Sequence, residues 1–289
     1  MAIKPRGHWL HGATANSLGF KSRYARSRDE LIALLARCRD DARAVLVQEF
    51  VPGRGRCVAA VCRDGVPLVL FAYERVREFP FSGGVSVVRR SIPLNDHLAR
   101  YTTALLGELR WHGVAMVEFK YDERADRYTL MEINGRFQAS TALSLDAGLN
   151  LPALTAALFL GEEPAPVGSY RVGVEERWLR GDVLALRDAF ARAPRRPPEG
   201  GFPGARPSRT AVAWRFLRDF RPGMHYDEFK WYDVRPGLVE AAALVRQVAR
   251  WCGEVGAAVA RYLATPVARR DADSSRACTN AATHRSMRV

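Results

Sequence analysis

The residues of this chain best placed to do chemistry are Glu118, Glu132, Asn134 and Arg136. Glu118 lies in Val117-Glu118-Phe119-Lys120, and the others in Met131-Glu132-Ile133-Asn134-Gly135-Arg136. Apolar and polar residues alternate in both segments, and the stretch between them, Asp122 to Arg127, is polar and turn-like. Period-two alternation on both sides of a polar loop predicts an antiparallel hairpin. Folded about Ala125, it sets Glu118 opposite Glu132. Val117, Phe119, Met131 and Ile133 then share the apolar face, and Glu118, Glu132 and Asn134 share the other. Like charges directly opposite on a sheet repel, so this face calls for a cation. An all-oxygen set suits Mg²⁺, which takes one or two carboxylates and is completed by water and substrate phosphates. Taken alone, the pattern is equally that of a solvated hairpin face with two unrelated glutamates.

The elements that must position these residues come before them. Residues 1–7 predict a short strand running into Pro5, and Lys21 to Ala25 another. His8 to Phe20 between them is irregular and rich in Gly, Ala, Ser and Asn. Ser27 followed by Glu30 is a capping box, with Leu31, Leu34 and Leu35 behind it at helical spacing. Ala44 to Val51 reads as a buried strand stopped by Pro52-Gly53. Cys57–Cys62 and Val66–Tyr73 flank Asp64-Gly65, a strong hairpin signal. Pro80 to Ser86 is a loop, and His97 to Leu109 a helix. A further helix, Leu151 to Leu160, ends at Gly161 as a C-cap. Composition shifts after Pro166: residues 191–208 read as a linker, 237–263 as an amphipathic helix, and 265–289 as a disordered tail.

Bulk composition narrows the function classes. The chain has 289 residues, 48% hydrophobic and 26% charged, ordinary values for a globular protein with a real core. Met1 to Leu10 shows no apolar signal region, and the longest apolar run, Leu151 to Leu160, is too short to span a bilayer. The five cysteines have no paired metal spacing. A reducing cytoplasm fits this usage. The net charge of +13 comes from forty Arg and only four Lys, a ratio expected of a GC-rich coding background. The Arg residues are dispersed, without the aromatic-interleaved stripe of a single-strand binder, which argues against a nucleic-acid partner. Arg75 and Arg89, flanking Gly83-Gly84, are expected to be solvated, the alternative being contact with an anionic substrate. His97 and His112 read as ordinary surface or turn histidines.

Set in order, these pieces resemble the ATP-grasp superfamily, within it the carbamoyl-phosphate-synthase-like and carboxylate–amine ligase branches. The strand ending Ile3-Lys4-Pro5, the segment Gln48-Glu49-Phe50-Val51-Pro52-Gly53, the Gly83-Gly84 loop, the Glu118 strand and Glu132-Ile133-Asn134-Gly135-Arg136 carry the likeness. It covers about residues 1–165. It implies an α+β, ATP-grasp fold, in which two subdomains grip ATP. Residues 1–52 would be part of the nucleotide-binding subdomain and 53–165 the C-terminal subdomain with the metal site. Residues 166–264 would be a C-terminal extension, and 265–289 the tail.

The resemblance also implies roles. Lys4 would reach the nucleotide phosphates. Gln48, Glu49, Phe50 and Val51 would hold adenine, through the backbone of Glu49 and Val51 and the apolar walls of Phe50 and Val51. Glu118, Glu132 and Asn134 would bind Mg²⁺ (or Mn²⁺), and Arg136 would steady the transferred phosphoryl group as the catalytic residue. The implied reaction joins a small-molecule carboxylate to an amine through an acyl-phosphate. Two departures matter. Members of the family carry an N-terminal α/β domain and a further lysine ahead of the strand matched by Lys4. Here Lys4 stands three residues from the start. The expectation is a nucleotide-covering half that is incomplete: a non-catalytic nucleotide-binding fragment, or one half of a split ligase whose N-terminal domain comes from a separate partner. A homodimer is also compatible. The second departure is at His8 to Leu18, which lacks the dense glycines of the family's phosphate-covering loop.

Overall fold

The computed structural model describes residues 1–5, 23–36, 45–81, 84–162, 167, 169–190 and 208–264. The His8–Leu18 loop, most of the 191–208 linker and the tail from 265 lie outside these residues. The chain divides into two units, Met1–Lys230 and Trp231–Val289. The first holds the strands β1 (Ala2–Pro5), β2 (Arg23–Tyr24), β3 (Val45–Gln48), β4 (Arg54–Arg63), β5 (Val66–Phe79), β6 (Val85–Ser91), β7 (Gly113–Asp122), β8 (Arg127–Asn134), β9 (Glu175–Arg177) and β10 (Met224–Tyr226). Its helices are α1 (Arg28–Ala36), α2 (Asp96–Glu108), α3 (Thr141–Asp146), α4 (Leu151–Phe159), α5 (Leu179–Phe190) and α6 (Arg209–Arg218). The second unit is described by one helix, α7 (Arg235–Ala264).

Strand β4 shows how the core is built. Its residues Cys57 to Cys62 are all fully buried, because successive side chains point to opposite faces and both faces are covered. Cys57, Ala59 and Val61 join Phe71, Tyr73 and Met116 under Leu143 of α3 and Leu151 and Leu158 of α4. Val58, Ala60 and Cys62 join Ala115, Val117 and Phe119 under Leu98 and Leu106 of α2. Two helix starts are capped by asparagine side chains. Asn95 Oδ1 accepts from Leu98 N–H at 2.9 Å at the start of α2, and Asn150 Oδ1 from Ala153 N–H at 2.9 Å at α4. At α1, Glu30 N–H donates to Ser27 Oγ at 3.1 Å, but the return bond to the Glu30 carboxylate comes from Arg26 N–H, one residue before the cap.

Two sheets result. The small one has the order β2-β1-β3, and the large one β10-β9-β6-β5-β4-β7-β8. The β4–β5 hairpin closes at Asp64-Gly65 with φ of 50° and 91°, the double positive φ of a type I′ turn. Strand β3, expected to be buried, is an edge strand paired only with β1 among the described residues. Leu46 and Val47 are therefore more than 40% exposed. Short strands β9 and β10, from beyond residue 166, extend the large sheet. Arg77 holds the helices over that edge: its guanidinium donates to Asp182 of α5 at 2.6 Å and to Asp219, which follows α6, at 2.8 Å.

The turn after β3 depends on Gly53. Its φ is +110°, and a Cβ there would lie 2.1 Å from the carbonyl oxygen of Tyr121. Gly53→Ala is expected to lower stability by about 1–3 kcal/mol, the cost of a strained non-glycine backbone. Chemical denaturation measures this, and an unchanged midpoint would contradict the strain.

Candidate functional site

A cleft of about 850 Å³ lies in the first unit, lined from the small sheet by Ala2, Tyr24 and Gln48, and continuing along Glu49, Phe50, Val51, Pro52 and Gly53. Its opposite wall is the large sheet, from which Glu118, Glu132, Asn134 and Arg136 line the same space. The β7–β8 ladder pairs Glu118 directly with Glu132 and Met116 with Asn134, the register expected from folding about Ala125. It is not regular: a bulge follows Glu118, so that Phe119 pairs with Leu130. Met131 is thereby the extra residue, and it lines the cleft beside Glu132 rather than sharing the core face with Val117, Phe119 and Ile133. Lys120 continues the cleft face, and its ammonium donates to the Gly53 carbonyl at 3.2 Å, tying this strand to the segment after β3.

The oxygen donors are joined by a chain of hydrogen bonds. Asn134 Nδ2 donates to Glu132 Oε1 at 2.8 Å, and Arg136 NH2 donates to Asn134 Oδ1 at 3.2 Å. Glu132 and Arg136 are exposed and Asn134 half-buried, while Glu118 is only 8% exposed. Glu118 Oε2 accepts from Arg75 NH2 at 2.5 Å. Burial pushes the Glu118 pKa up; Arg75 opposes this and Glu132 adds to it. Burial also works against the Arg75 charge, but the Glu118 and Glu78 carboxylates outweigh it and hold the guanidinium firmly protonated. Among the described residues no three His, Cys, Asp or Glu are gathered as a metal cage. Two carboxylates and one amide oxygen are instead a partial, hard donor set. That set fits an ion such as Mg²⁺, which takes its remaining ligands from water and phosphate.

Neutral groups line the cleft as well. Gln138 is 5% exposed, and its amide oxygen and nitrogen have no partner among the described groups. Tyr73 and Ser140 line the same cleft, and burial pushes the Tyr73 hydroxyl pKa well up. Burial pushes the Cys57 thiol up to about 12, so it is not a nucleophile.

Arg89, also in the lining, is 1% exposed and pairs directly across the sheet with Glu176 at 2.8 Å. Asp227 is its second carboxylate partner. Glu176 is fully buried; burial raises its pKa to about 8, with Arg89 opposing and Asp227 adding. A carboxyl that binds its proton more tightly when folded stabilises the fold below its unfolded value near 4.5, and that contribution is lost as pH rises through about 8. The thermal midpoint should therefore fall between pH 6 and pH 9, and Glu176→Gln should flatten this slope. Equal slopes in the two proteins would show that Glu176 does not carry it.

Gln48, Glu49, Phe50, Val51, Glu118, Glu132, Asn134 and Arg136 thus meet in one cleft. Lys4 lies in β1, the central strand of the small sheet, where it pairs with Leu46. Arg75 and Arg89 correct the sequence reading: neither is solvated. The signal for Arg75 was its place in β5, two residues beyond Tyr73 and four beyond Phe71 on the same face. Nothing local marks Arg89, since Glu176 and Asp227 are far along the chain.

Residues 41–181, just under half of the chain, match the sequence profile of a family described as "ATP-grasp in the biosynthetic pathway with Ter operon". Over these residues the sequence is that of an ATP-grasp protein, and the strands and helices of the chain make an α+β fold. Solved structures similar to it include a biotin carboxylase–β-γ-ATP complex from Campylobacter jejuni, 13% identical, with a TM-score of 0.45 over 60% of this chain and 40% of that one. The phosphoribosylaminoimidazole carboxylase ATPase subunit from Aquifex aeolicus is 19% identical, with a TM-score of 0.37 over 46% of this chain and 42% of that one. Pyruvate carboxylase from Rhizobium etli is 18% identical, with a TM-score of 0.36 over 42% of this chain and 13% of that one. The chain thus spans between 13% and 42% of the length of these three proteins. It has no match among curated proteins. No helix among the described residues is long and apolar enough to cross a membrane.

Proposed function

We propose that the cleft binds Mg·ATP, or Mn·ATP, and that the protein is an ATP-dependent ligase joining a small-molecule carboxylate to an amine. One observation carries this reading: within an ATP-grasp chain, the Gln48–Gly53 segment and the Glu118, Glu132, Asn134 and Arg136 side chains line the same cleft. The backbone of Glu49 and Val51 holds the adenine edge, with Phe50 and Val51 as apolar walls. Phe50 is itself braced edge-on by Tyr24, with ring centroids 5.7 Å apart. Glu118, Glu132 and Asn134 hold the cation, which neutralises charge on the phosphates when bound. The family resemblance gives Lys4 of β1 the role of a point charge toward those phosphates. Arg136, already oriented by Asn134, offers a fork of N–H donors to the phosphoryl group in transfer.

In the reaction a substrate carboxylate oxygen bonds to the γ-phosphorus as ADP departs. The amine nitrogen then bonds to the acyl carbon as phosphate departs and the nitrogen loses a proton. The chain's contribution is position and electrostatics, with no covalent attachment to a side chain. Calorimetric titration with ATP, with and without Mg²⁺, tests the binding. Micromolar to millimolar affinity that needs Mg²⁺ is expected, in the usual range for enzyme substrates, followed by ADP release with a panel of carboxylates and amines. Failure to bind ATP in Mg²⁺ overturns the reading. Binding without ADP release for any pair reduces it to a nucleotide-binding module.

A further inference from the structure

Arg75 occupies an unusual position for a buried cation. It is placed opposite Arg89 in the β5–β6 ladder, a like-charge pairing that repels. The two guanidiniums turn to separate carboxylates. Arg89 takes Glu176 and Asp227. Arg75 turns the other way, over β4, and reaches Glu118 on β7 at 2.5 Å, with Glu78 at 3.2 Å. The path over β4 is open because the residue there is Gly55. A Cβ on Gly55 would stand 2.8 Å from Arg75 Cδ. The remaining NH1 bond, to the Gly84 carbonyl at 3.3 Å, fixes the fork from the loop side.

We propose that Arg75 and a divalent cation compete for the Glu118 carboxylate, so that Arg75 sets how tightly the cleft holds its metal. This rests on the reading that Glu118, Glu132 and Asn134 are the cation's ligands. Glu118 is the most buried of the three, and a buried carboxylate is costly without a partner. Arg75 supplies that partner through one charge-assisted hydrogen bond. A metal using the same oxygen must first displace the guanidinium, and the energy of that bond is subtracted from its affinity. Arg75 is thus a positioning residue, distinct from Arg136, whose bonds run to Asn134 and the backbone.

The test is Mn²⁺ binding to the whole protein, read from the loss of the free-ion paramagnetic resonance signal without nucleotide. Arg75→Gln should tighten Mn²⁺ about tenfold or more, the factor that matches loss of one hydrogen bond to a charged group. Gly55→Ala removes no charge but obstructs the path of the Arg75 stem, and should tighten Mn²⁺ in the same direction. Lys120→Gln removes a positive charge on the same strand as Glu118 and measures the purely electrostatic gain. Arg75→Gln must exceed it. Mn²⁺ binding that is lost in Glu132→Gln yet no tighter in Arg75→Gln than in Lys120→Gln overturns this inference and leaves the metal site standing. An unchanged Gly55→Ala, with circular dichroism matching the parent, also overturns it. No bound Mn²⁺ in any variant overturns the metal site and the inference with it.

Discussion

Glu132→Gln combined with Asn134→Ala is expected to remove the Mg²⁺-dependent part of ATP affinity, with a loss of at least about 100-fold. Outer-shell partners of metal ligands already account for roughly 10–100-fold, and here two of three proposed ligands are changed at once. The pair is also a unit: Asn134 Nδ2 donates to Glu132 Oε1, and Asn134 Oδ1 accepts from Arg136. Removing both therefore frees Arg136 as well as emptying the donor set. Stability should move little. Glu132 is exposed and Asn134 half-buried, and surface changes of this kind usually stay within about 0.5 kcal/mol. The expected result is an unchanged thermal midpoint with ATP binding that no longer responds to Mg²⁺. A variant that keeps the parent's response would remove these residues from the metal site.

Arg89→Met is expected to lower stability by about 3–5 kcal/mol, the range found when one partner of a buried ion pair is deleted. Arg89 is 1% exposed and pairs with Glu176, Asp227 and the Ser86 carbonyl. Methionine fills a similar volume, so the loss reports on charge and hydrogen bonding more than on a cavity. Its pH dependence is a further check. Arg89 lowers the Glu176 pKa more than Lys230, the other cation near it, does, so without Arg89 Glu176 binds its proton more tightly in the folded state. Stability of the variant should fall more steeply with rising pH, and the deficit should be larger at pH 9 than at pH 5. Urea unfolding at both pH values measures this. A loss under about 1 kcal/mol at pH 9 would mean that water, not Arg89, satisfies the two carboxylates.

The two variants touch parts of the cleft that differ in how readily they are read from sequence. The Glu118–Glu132 pairing was legible because both strands alternate with period two and the loop between them is short and polar. Type I′ closure at Asp64-Gly65 was legible for the same kind of reason: those residue types tolerate positive φ. The ATP-grasp resemblance came from the order of such local pieces. Met131 was misplaced because a bulge inserts one residue without any mark in the alternation on either side. Strand β3 was misjudged because its apolar run says nothing of how many neighbours the strand will have.

Arg75 and Arg89 were hidden for a deeper reason. Among forty arginines, composition gives no ground for choosing two. Arg75 meets Glu118 43 residues away only because β4 lies between their strands and carries Gly55 at the crossing. Arg89 meets Glu176 87 residues away only because β9 adds to the edge of β6. By itself the sequence determined what depends on neighbours a few residues apart: strand periodicity, caps, turns, and the oxygen donors on one hairpin face. Tertiary structure alone decided which charges are buried and with whom, because strand order, not chain distance, chooses the partners of a long side chain.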